Sequence, residues 1–409
     1  MSIRSKTIPI RFEKIRIRAV IPFLLVLMPS WHFSHQIFAQ EPPRSNVPSD
    51  LPHAFQTALD DFRKKYGFPG ATAAYMLQDG TLGVAATGYA DIEDGKPMTV
   101  RSRMLAASIG KTFVGATAVA LSLEGVLNLD APISKWLGDR PWFARLPNHD
   151  TITLRHLLTH RSGLPDHVHM ENFTSAVSHE WQAKSNAFPP ERLIRFILDQ
   201  PARFETGKGW FYSDTGYILI GLVIEEATKK SYYDLIKTRF LGPLGLTLTG
   251  PADRRILPGL AAGYMAVNNA FGFPRKTTKA DGSMVWHPGL EWTGGGLVSN
   301  SRDLVLWGSE LFRGHAMPGP YLDVLLNADP ISADRPDVSY GAGVVIHRRG
   351  PFGPVYGHDG WIPGYCSSLS YYPKDGITIA FQINTDIGIT SAVMQEMKMR
   401  LAEIVIHSR

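Results

Sequence analysis

The sequence predicts an α+β fold: an antiparallel sheet assembled from strands at both ends of the chain, flanked by helices, with a mostly helical domain inserted between them. Three observations lead there. Short strand-like runs separated by turn residues sit towards both ends of the chain, whereas residues 101–245 read as helices joined by loops rich in Gly, Pro and His. Composition is that of a packed body, 44% hydrophobic and 19% charged over 409 residues, with Pro and Gly dispersed. That length favours two domains over one. The expected division is a leader at 1–40, a sheet domain from 41–100 and 246–409, and a helical domain at 101–245.

In chain order, the leader comes first. Six basic residues between Arg4 and Arg18 precede the apolar run Ala19–Met28, and small Ala39 lies near the end of the segment. This fits an export signal and a periplasmic or secreted protein, and the run is short for a bilayer span. An amphipathic membrane-surface helix is the alternative. The leader's six basic residues, less its single acidic one, account for the whole +5 net charge. A mature chain near neutrality has no basic footprint for nucleic acid or anionic membrane. Small-molecule or peptide substrates are the expected partners, and the sequence leaves oligomeric state open.

A helix is expected at Leu51–Tyr66, then strands Ala71–Met76 and Leu82–Tyr89 joined by a turn at Asp79-Gly80. Towards the C-terminus, Gly341–His347, Ser367–Tyr372 and Thr378–Asn384 read as strands, and Thr390–Ile406 as an amphipathic helix. The one cysteine, Cys366, rules out an internal disulfide and reads as a small core residue.

Three motifs carry chemistry. Ser108 and Lys111 open a helical pattern that ends at Glu124-Gly125, and a spacing of three puts hydroxyl and amine on one helix face. A serine hydroxyl needs a base, and a lysine in an apolar helix flanked by Leu105, Ala106, Ala107, Phe113 and Val114 needs a reason to be there. Backbone N–H groups at a helix start would face a developing oxyanion. Next, Tyr212 and Asp214 precede an apolar helix at Ile218–Ala227. The tyrosine either carries a proton beside the lysine or anchors the helix start with Asp214 as its N-cap. The stretch Tyr356–Tyr365 then places His358, Gly360 and Trp361 before a strand. It reads either as an edge presenting His358 and the Trp361 N–H to a ligand, or as a Gly-rich turn with a surface histidine. A further glycine cluster, Gly294–Gly296, precedes a helix starting near Ser301 and lacks the ending of a phosphate loop. Trp286, Trp292, Trp361 and Tyr365 are candidates for either an acyl pocket or the core. His149, His156, His160, His167 and His169 lack partners at metal-ligand spacing, and neither metal nor cofactor is expected.

Taken together these residues resemble the serine β-lactamase and penicillin-binding-protein superfamily, in particular its class C β-lactamase-like hydrolases, esterases and D-aminopeptidases. Ser108–Lys111 matches the first motif, Tyr212–Asp214 the Tyr-x-Asn motif and His358–Gly360 the third; the likeness covers about residues 55–405. It implies a Ser108 nucleophile, Lys111 and Tyr212 as a coupled base, an oxyanion hole from the Ser108 and Trp361 N–H groups, and substrate contacts from Asp214, His358 and Gly360. Two departures stand out. Asp214 occupies a position where asparagine is common, and so introduces a negative charge beside Lys111. His358 replaces the lysine typical of class C β-lactamases, removing a fixed positive charge. The implied function is a serine hydrolase acting through an acyl-enzyme on an ester, an amide, a D-amino-acid peptide or a β-lactam-like substrate. The competing reading is a non-catalytic penicillin-binding sensor or binding module of the same fold. An α/β-hydrolase is disfavoured by the lack of a Gly-x-Ser-x-Gly elbow.

Overall fold

A computed structural model of the chain describes residues 50–183 and 188–408; the leader and its cleavage point lie outside these. The first element is helix α1 (Leu51–Tyr66), with a proline in its first turn and Gly67 closing it at φ 67°. Its buried residues Leu51, Phe55, Ala58, Leu59 and Phe62 fall on one helical stripe.

The strands are β1 (Gly70–Met76), β2 (Leu82–Asp91), β3 (Lys96–Pro97), β4 (Met104–Leu105), β5 (Gly250–Pro251), β6 (Leu297–Ser299), β7 (Val338–Tyr340), β8 (Val345–His347), β9 (Val355–Ile362), β10 (Tyr365–Tyr372) and β11 (Ile377–Ile383). Eight of them form one sheet in the order β3-β2-β1-β11-β10-β9-β8-β7, antiparallel throughout. N-terminal strands thus fill one end and C-terminal strands the other, as expected, and β1 pairs directly with β11. A small second sheet runs β4-β6-β5.

Every residue of β1, β10 and β11 is buried, because helices cover both faces of the sheet. Alternation sorts their side chains. Ile377, Ile379, Phe381 and Ile383 join α1 and the C-terminal helix α5 (Ser391–His407) in one apolar layer. Ala74, Leu369, Tyr371 and Ala380 face the other layer, shared with α2 (Gly110–Leu123), α3 (Asp214–Thr228) and α4 (Ser301–Phe312). This second layer is continuous from the sheet into the helices of the chain's middle. Phe113 of α2 stacks on Trp307 of α4 at 4.0 Å, and the Trp307 Nε1–H donates to Thr112 Oγ1 at 2.8 Å. These contacts fix the helix bearing Lys111 against the sheet.

Two segments differ from the sequence reading. Gly341–His347 is not one strand: β7 ends at Tyr340, and the chain reverses through Gly341–Val344, with Gly343 at φ 78°, into β8. The stretch Tyr356–Tyr365 precedes strand β10 but is not a loop: residues 356–362 lie in strand β9, and the two-residue turn Pro363-Gly364 joins them to β10 at Tyr365. Among the described residues no helix is long and apolar enough to cross a membrane.

Candidate active site

Ser108 lies in a single 3₁₀ turn, Ala107–Ile109, that runs straight into α2. Ala107, just before it, takes the left-handed conformation at φ 48°, sparsely populated for a residue with a Cβ and of a kind that collects at functional sites. The turn is pressed between two glycine-bearing segments. A Cβ on Gly110 would come within 2.9 Å of Gly295, and one on Gly360 of β9 within 2.5 Å of the Ala106 carbonyl. Backbone therefore meets backbone on both sides of the serine, which only glycine permits.

Lys111 is fully buried, and its three N–H bonds each meet an acceptor: Ser108 Oγ at 3.0 Å, Asp214 Oδ1 and the Gly294 carbonyl. Burial by itself pulls this amine's pKa down, but Asp214 and then Tyr212 outweigh it, and the amine is held above its ordinary value. Lys111 is thus an ammonium at neutral pH with every donor satisfied. Asp214 is the first residue of α3, after the N-cap Ser213, and no side chain caps the helix. Its carboxylate instead faces Lys111, 22% exposed.

The Tyr212 hydroxyl is buried and makes no hydrogen bond. Lys111 Nζ sits 4.9 Å from the centre of its ring. Burial raises the phenol's pKa, and the Lys111 charge offsets only part of that. The tyrosine is therefore a neutral phenol next to an ammonium, with its oxygen turned towards Lys111 and Ser108.

Strand β9 forms the other wall. Its register with β10 closes on the Pro363-Gly364 turn at the Ile362–Tyr365 pair. By the alternation of antiparallel ladders, Trp361 then belongs to a non-bonded pair and turns its N–H away from β10. Strand β8 pairs with β9 only at residues 355–357, which leaves that edge open from 358 to 362. Trp361's side chain is 57% exposed at the cavity mouth. His358 is 6% exposed: its Nδ1–H donates to the Asp359 carbonyl at 2.5 Å, and its Nε2 accepts from the Tyr340 hydroxyl at 2.8 Å. Burial, then Lys111, lowers its pKa to about 4, so the ring is neutral.

Ser108, Tyr212, Asp214, His358, Gly360 and Trp361 all line one cavity of ≈ 680 Å³, with Lys111 beneath its floor. Its apolar walls include Phe173, Val177, Phe271, Phe273 and Trp286, the last stacked on Phe273 at 4.9 Å. Tyr365 does not line it; its hydroxyl is tied to the Ala261 carbonyl and Thr277 in the core. Cys366 borders the cavity as a buried thiol whose pKa burial raises to about 12, well outside the nucleophilic range.

Two lining carboxyls were not singled out from the sequence. Asp166 is 1% exposed; its Oδ2 has no partner, and burial followed by the nearby Asp214 raises its pKa to about 8. Glu291, just before the glycine cluster, is raised to about 8 by burial and then by Asp214. Local sequence offered no signal for Asp166, which follows the Ser162–Pro165 loop as an ordinary N-cap of the 3₁₀ turn His167–His169. Among the described residues no group of three His, Cys, Asp or Glu converges as a metal site.

A serine on a tight turn, hydrogen-bonded to a lysine one helical turn on and facing a tyrosine and an open strand edge, is an arrangement chemically suited to acyl transfer through the serine. Comparison with known proteins gives the family. Residues 55–404 match the Beta-lactamase family model, and the chain belongs to that family, within the serine β-lactamase and penicillin-binding-protein superfamily. Esterase EstB of Burkholderia gladioli is 29% identical over 340 residues, 80% of each chain. A penicillin-binding protein of Bacillus subtilis (strain 168) is 26% identical over 347 residues, 81% of this chain and 71% of that one. Among solved structures, D-amino acid amidase from Ochrobactrum anthropi SV3 complexed with L-phenylalanine amide is 28% identical and superposes with a TM-score of 0.73, over 88% of this chain and 100% of that one. The family thus holds esterases, D-amino acid amidases and penicillin-binding proteins.

Proposed function

We propose that the protein hydrolyses small amides or esters that carry an ammonium group next to the scissile carbonyl, with D-amino-acid amides the leading class. The carrying observation is the charge balance of the cavity. Four acidic residues, Asp166, Asp214, Glu291 and Asp359, line it, the last with its carboxylate already tied to Ser368 and Lys398; the one cation among the motif residues, Lys111, lies beneath the floor and is already paired with Asp214; and the histidine in the third motif is neutral. A substrate carboxylate, as in β-lactams or peptides with a free C-terminus, finds no free cation in this set: Asp214 neutralises Lys111, and Asp166 and Glu291, with pKa values raised to about 8, offer acids rather than positive charge. An ammonium beside the cavity wall would draw on Asp166, whose Oδ2 is buried without a hydrogen-bond partner and would have to turn towards it, and on binding it would stabilise the ionised form of that acid. The apolar walls suit an aromatic or branched side chain. Likeness to the O. anthropi amidase and to EstB supports the amide and ester classes.

In this reading Ser108 Oγ attacks the carbonyl carbon while its proton passes to Tyr212, and the oxyanion is held by the Ser108 and Trp361 N–H groups. Tyr212 then returns that proton to the departing amine or alcohol as the C–N or C–O bond breaks. Water repeats the sequence on the acyl-enzyme, releasing the acid and freeing Ser108. Lys111 remains charged, since all its donors are held. The Lys111/Tyr212 pair must therefore lose one proton before it can accept Ser108's, and it titrates as a unit. The basic, apolar leader supports action outside the cytoplasm.

The test is parallel turnover of D-phenylalanine amide, its N-acetyl derivative and a chromogenic cephalosporin. Expected is hydrolysis of the free-amine amide, with kcat/KM about 100-fold above the acetylated one, and little cephalosporin turnover. Equal use of both amides, or efficient cephalosporin hydrolysis, would overturn the ammonium reading.

A further inference from the structure

Tyr212 lies in a loop, outside any helix or strand, yet its position must be fixed if its oxygen is to reach Ser108. The peptide groups on either side of it show how this is done. The Phe211 N–H donates to the main-chain carbonyl of His160 at 3.0 Å. On the other side, the Ser213 N–H donates to Nδ1 of the same histidine at 3.1 Å. The imidazole also packs against the tyrosine ring, centroid to centroid 4.2 Å at 36°. One residue therefore grips Tyr212 from before, behind and beneath.

We propose that His160 is a positioning residue for Tyr212, acting as a neutral hydrogen-bond acceptor that sets where the phenol stands relative to Ser108. This rests on the reading of Tyr212 as the proton carrier.

Three features support a built device rather than ordinary packing. His160 is almost wholly buried and takes φ 57°, a left-handed conformation uncommon for a non-glycine residue and costly to hold. Such strain persists only where surrounding contacts over-determine it. Here they do: the short helix Leu154–Leu158 delivers residue 160 through a bond from its own N–H to the Leu157 carbonyl, at 3.2 Å. Second, the ring must be neutral for the clamp to exist. An N–H faces Nδ1, so Nδ1 cannot also carry a proton, and the tautomer is Nε2–H. Burial and then the Lys111 charge hold the ring deprotonated far into acid. Third, Nε2 is buried without a hydrogen bond, a cost that packing alone would avoid with a leucine or phenylalanine. The ring is also surrounded by Tyr217 and Tyr340, at 5.2 and 4.4 Å between centroids, and Tyr340 in turn holds His358. Proton carrier and strand edge thereby share one aromatic support.

The test uses two substitutions that both tolerate positive φ. His160→Asn keeps a side-chain acceptor near the Nδ1 position, whereas His160→Gly removes it. Acylation of Ser108 is measured as the second-order rate with p-nitrophenyl acetate, normalised to folded protein by circular dichroism, in the wild-type and Tyr212→Phe backgrounds. Expected is a loss of about 100-fold in this rate in His160→Gly, and recovery to within about tenfold of wild type in His160→Asn. In the Tyr212→Phe background, His160→Gly should cost less than about threefold more, because its effect passes through the missing phenol. Additive losses in the double variant, or an Asn variant as poor as the Gly one, would overturn the positioning role. If Tyr212→Phe alone matches wild type, the failure lies instead with the proton-carrier reading. Should His160→Gly fail to fold, the Asn variant in both backgrounds still decides: a large loss from His160→Asn that persists without the phenol contradicts the proposal.

Discussion

Replacing Asp214 by asparagine should move the alkaline limb of the pH–rate profile downward. The side chain keeps an oxygen to accept the Lys111 N–H, so geometry is conserved while one negative charge is lost. Asp214 raises the pKa of both Lys111 and Tyr212, so its removal acts in one direction on both members of the pair. Two unit charges about 4 Å apart interact by roughly 4 kcal/mol at an effective dielectric of about 20. Asp214 is 22% exposed, and allowing for solvent screening about half of that survives. At about 1.4 kcal/mol per pKa unit this is a shift of one to two units. The assay is kcat/KM for an uncharged ester such as p-nitrophenyl acetate between pH 6 and 10.5, fitted to a single ascending ionisation. The wild type should still be rising at the top of the range, and Asp214→Asn should level off about one to two units earlier and be faster near pH 7. Superimposable limbs, or an upward shift, would refute the claim that the pair must lose a proton that Asp214 holds in place.

Other consequences follow from the same geometry. Gly360→Ala drives a methyl into the Ala106 carbonyl and Ser367 Oγ, and should lower acylation about 100-fold by prising β9 from the serine turn; a rate within threefold of wild type would show that the contact yields easily. Asp166 and Glu291 have folded pKa values near 8, far above their unfolded values; the stability that goes with a raised acid is complete below the unfolded pKa and lost as pH rises through 8. Asp166→Asn should therefore leave Tm nearly unchanged at pH 4 and raise it progressively to pH 8, while losing about tenfold or more in kcat/KM for ammonium substrates. Unchanged Tm differences across that range would contradict the burial argument. His358, with a folded pKa of about 4, should leave no inflection in kcat/KM between pH 6 and 7. A step there that vanishes in His358→Gln would mean that the ring titrates in place.

Much of this architecture could be read from the chain, and its gaps have physical causes. Helix α1 runs over the expected residues because Pro near its start, Gly67 at its end and an apolar stripe between all agree. The Asp79-Gly80 turn likewise marked its hairpin, with Gly80 at φ 89°. Strand β9 was harder: Gly357, Asp359 and Gly360 interrupt its apolar pattern, since this strand is shaped by backbone approaching backbone rather than by side-chain packing. The reversal at Gly341–Val344 hid inside an apolar run for a related reason, its glycines reading as strand rather than turn. At the site, Ser108, Lys111 and Tyr212 were visible because their chemistry depends on residue type and local spacing. Asp166, Glu291 and His160 were not, because an acid or a histidine gains its character here from burial and from neighbours about 50 or more residues distant, which no local pattern encodes.

In the proposed reaction Ser108 carries the covalent chemistry, which intact-mass spectrometry of the protein quenched during turnover of an ester would reveal. One acyl group should appear on the Ser108 peptide, decay after a substrate chase, and be absent from Ser108→Ala, with that variant folded and inactive. An adduct on another residue, or undiminished hydrolysis by Ser108→Ala, would contradict it, and an adduct that never decays would mark a binding module rather than a hydrolase.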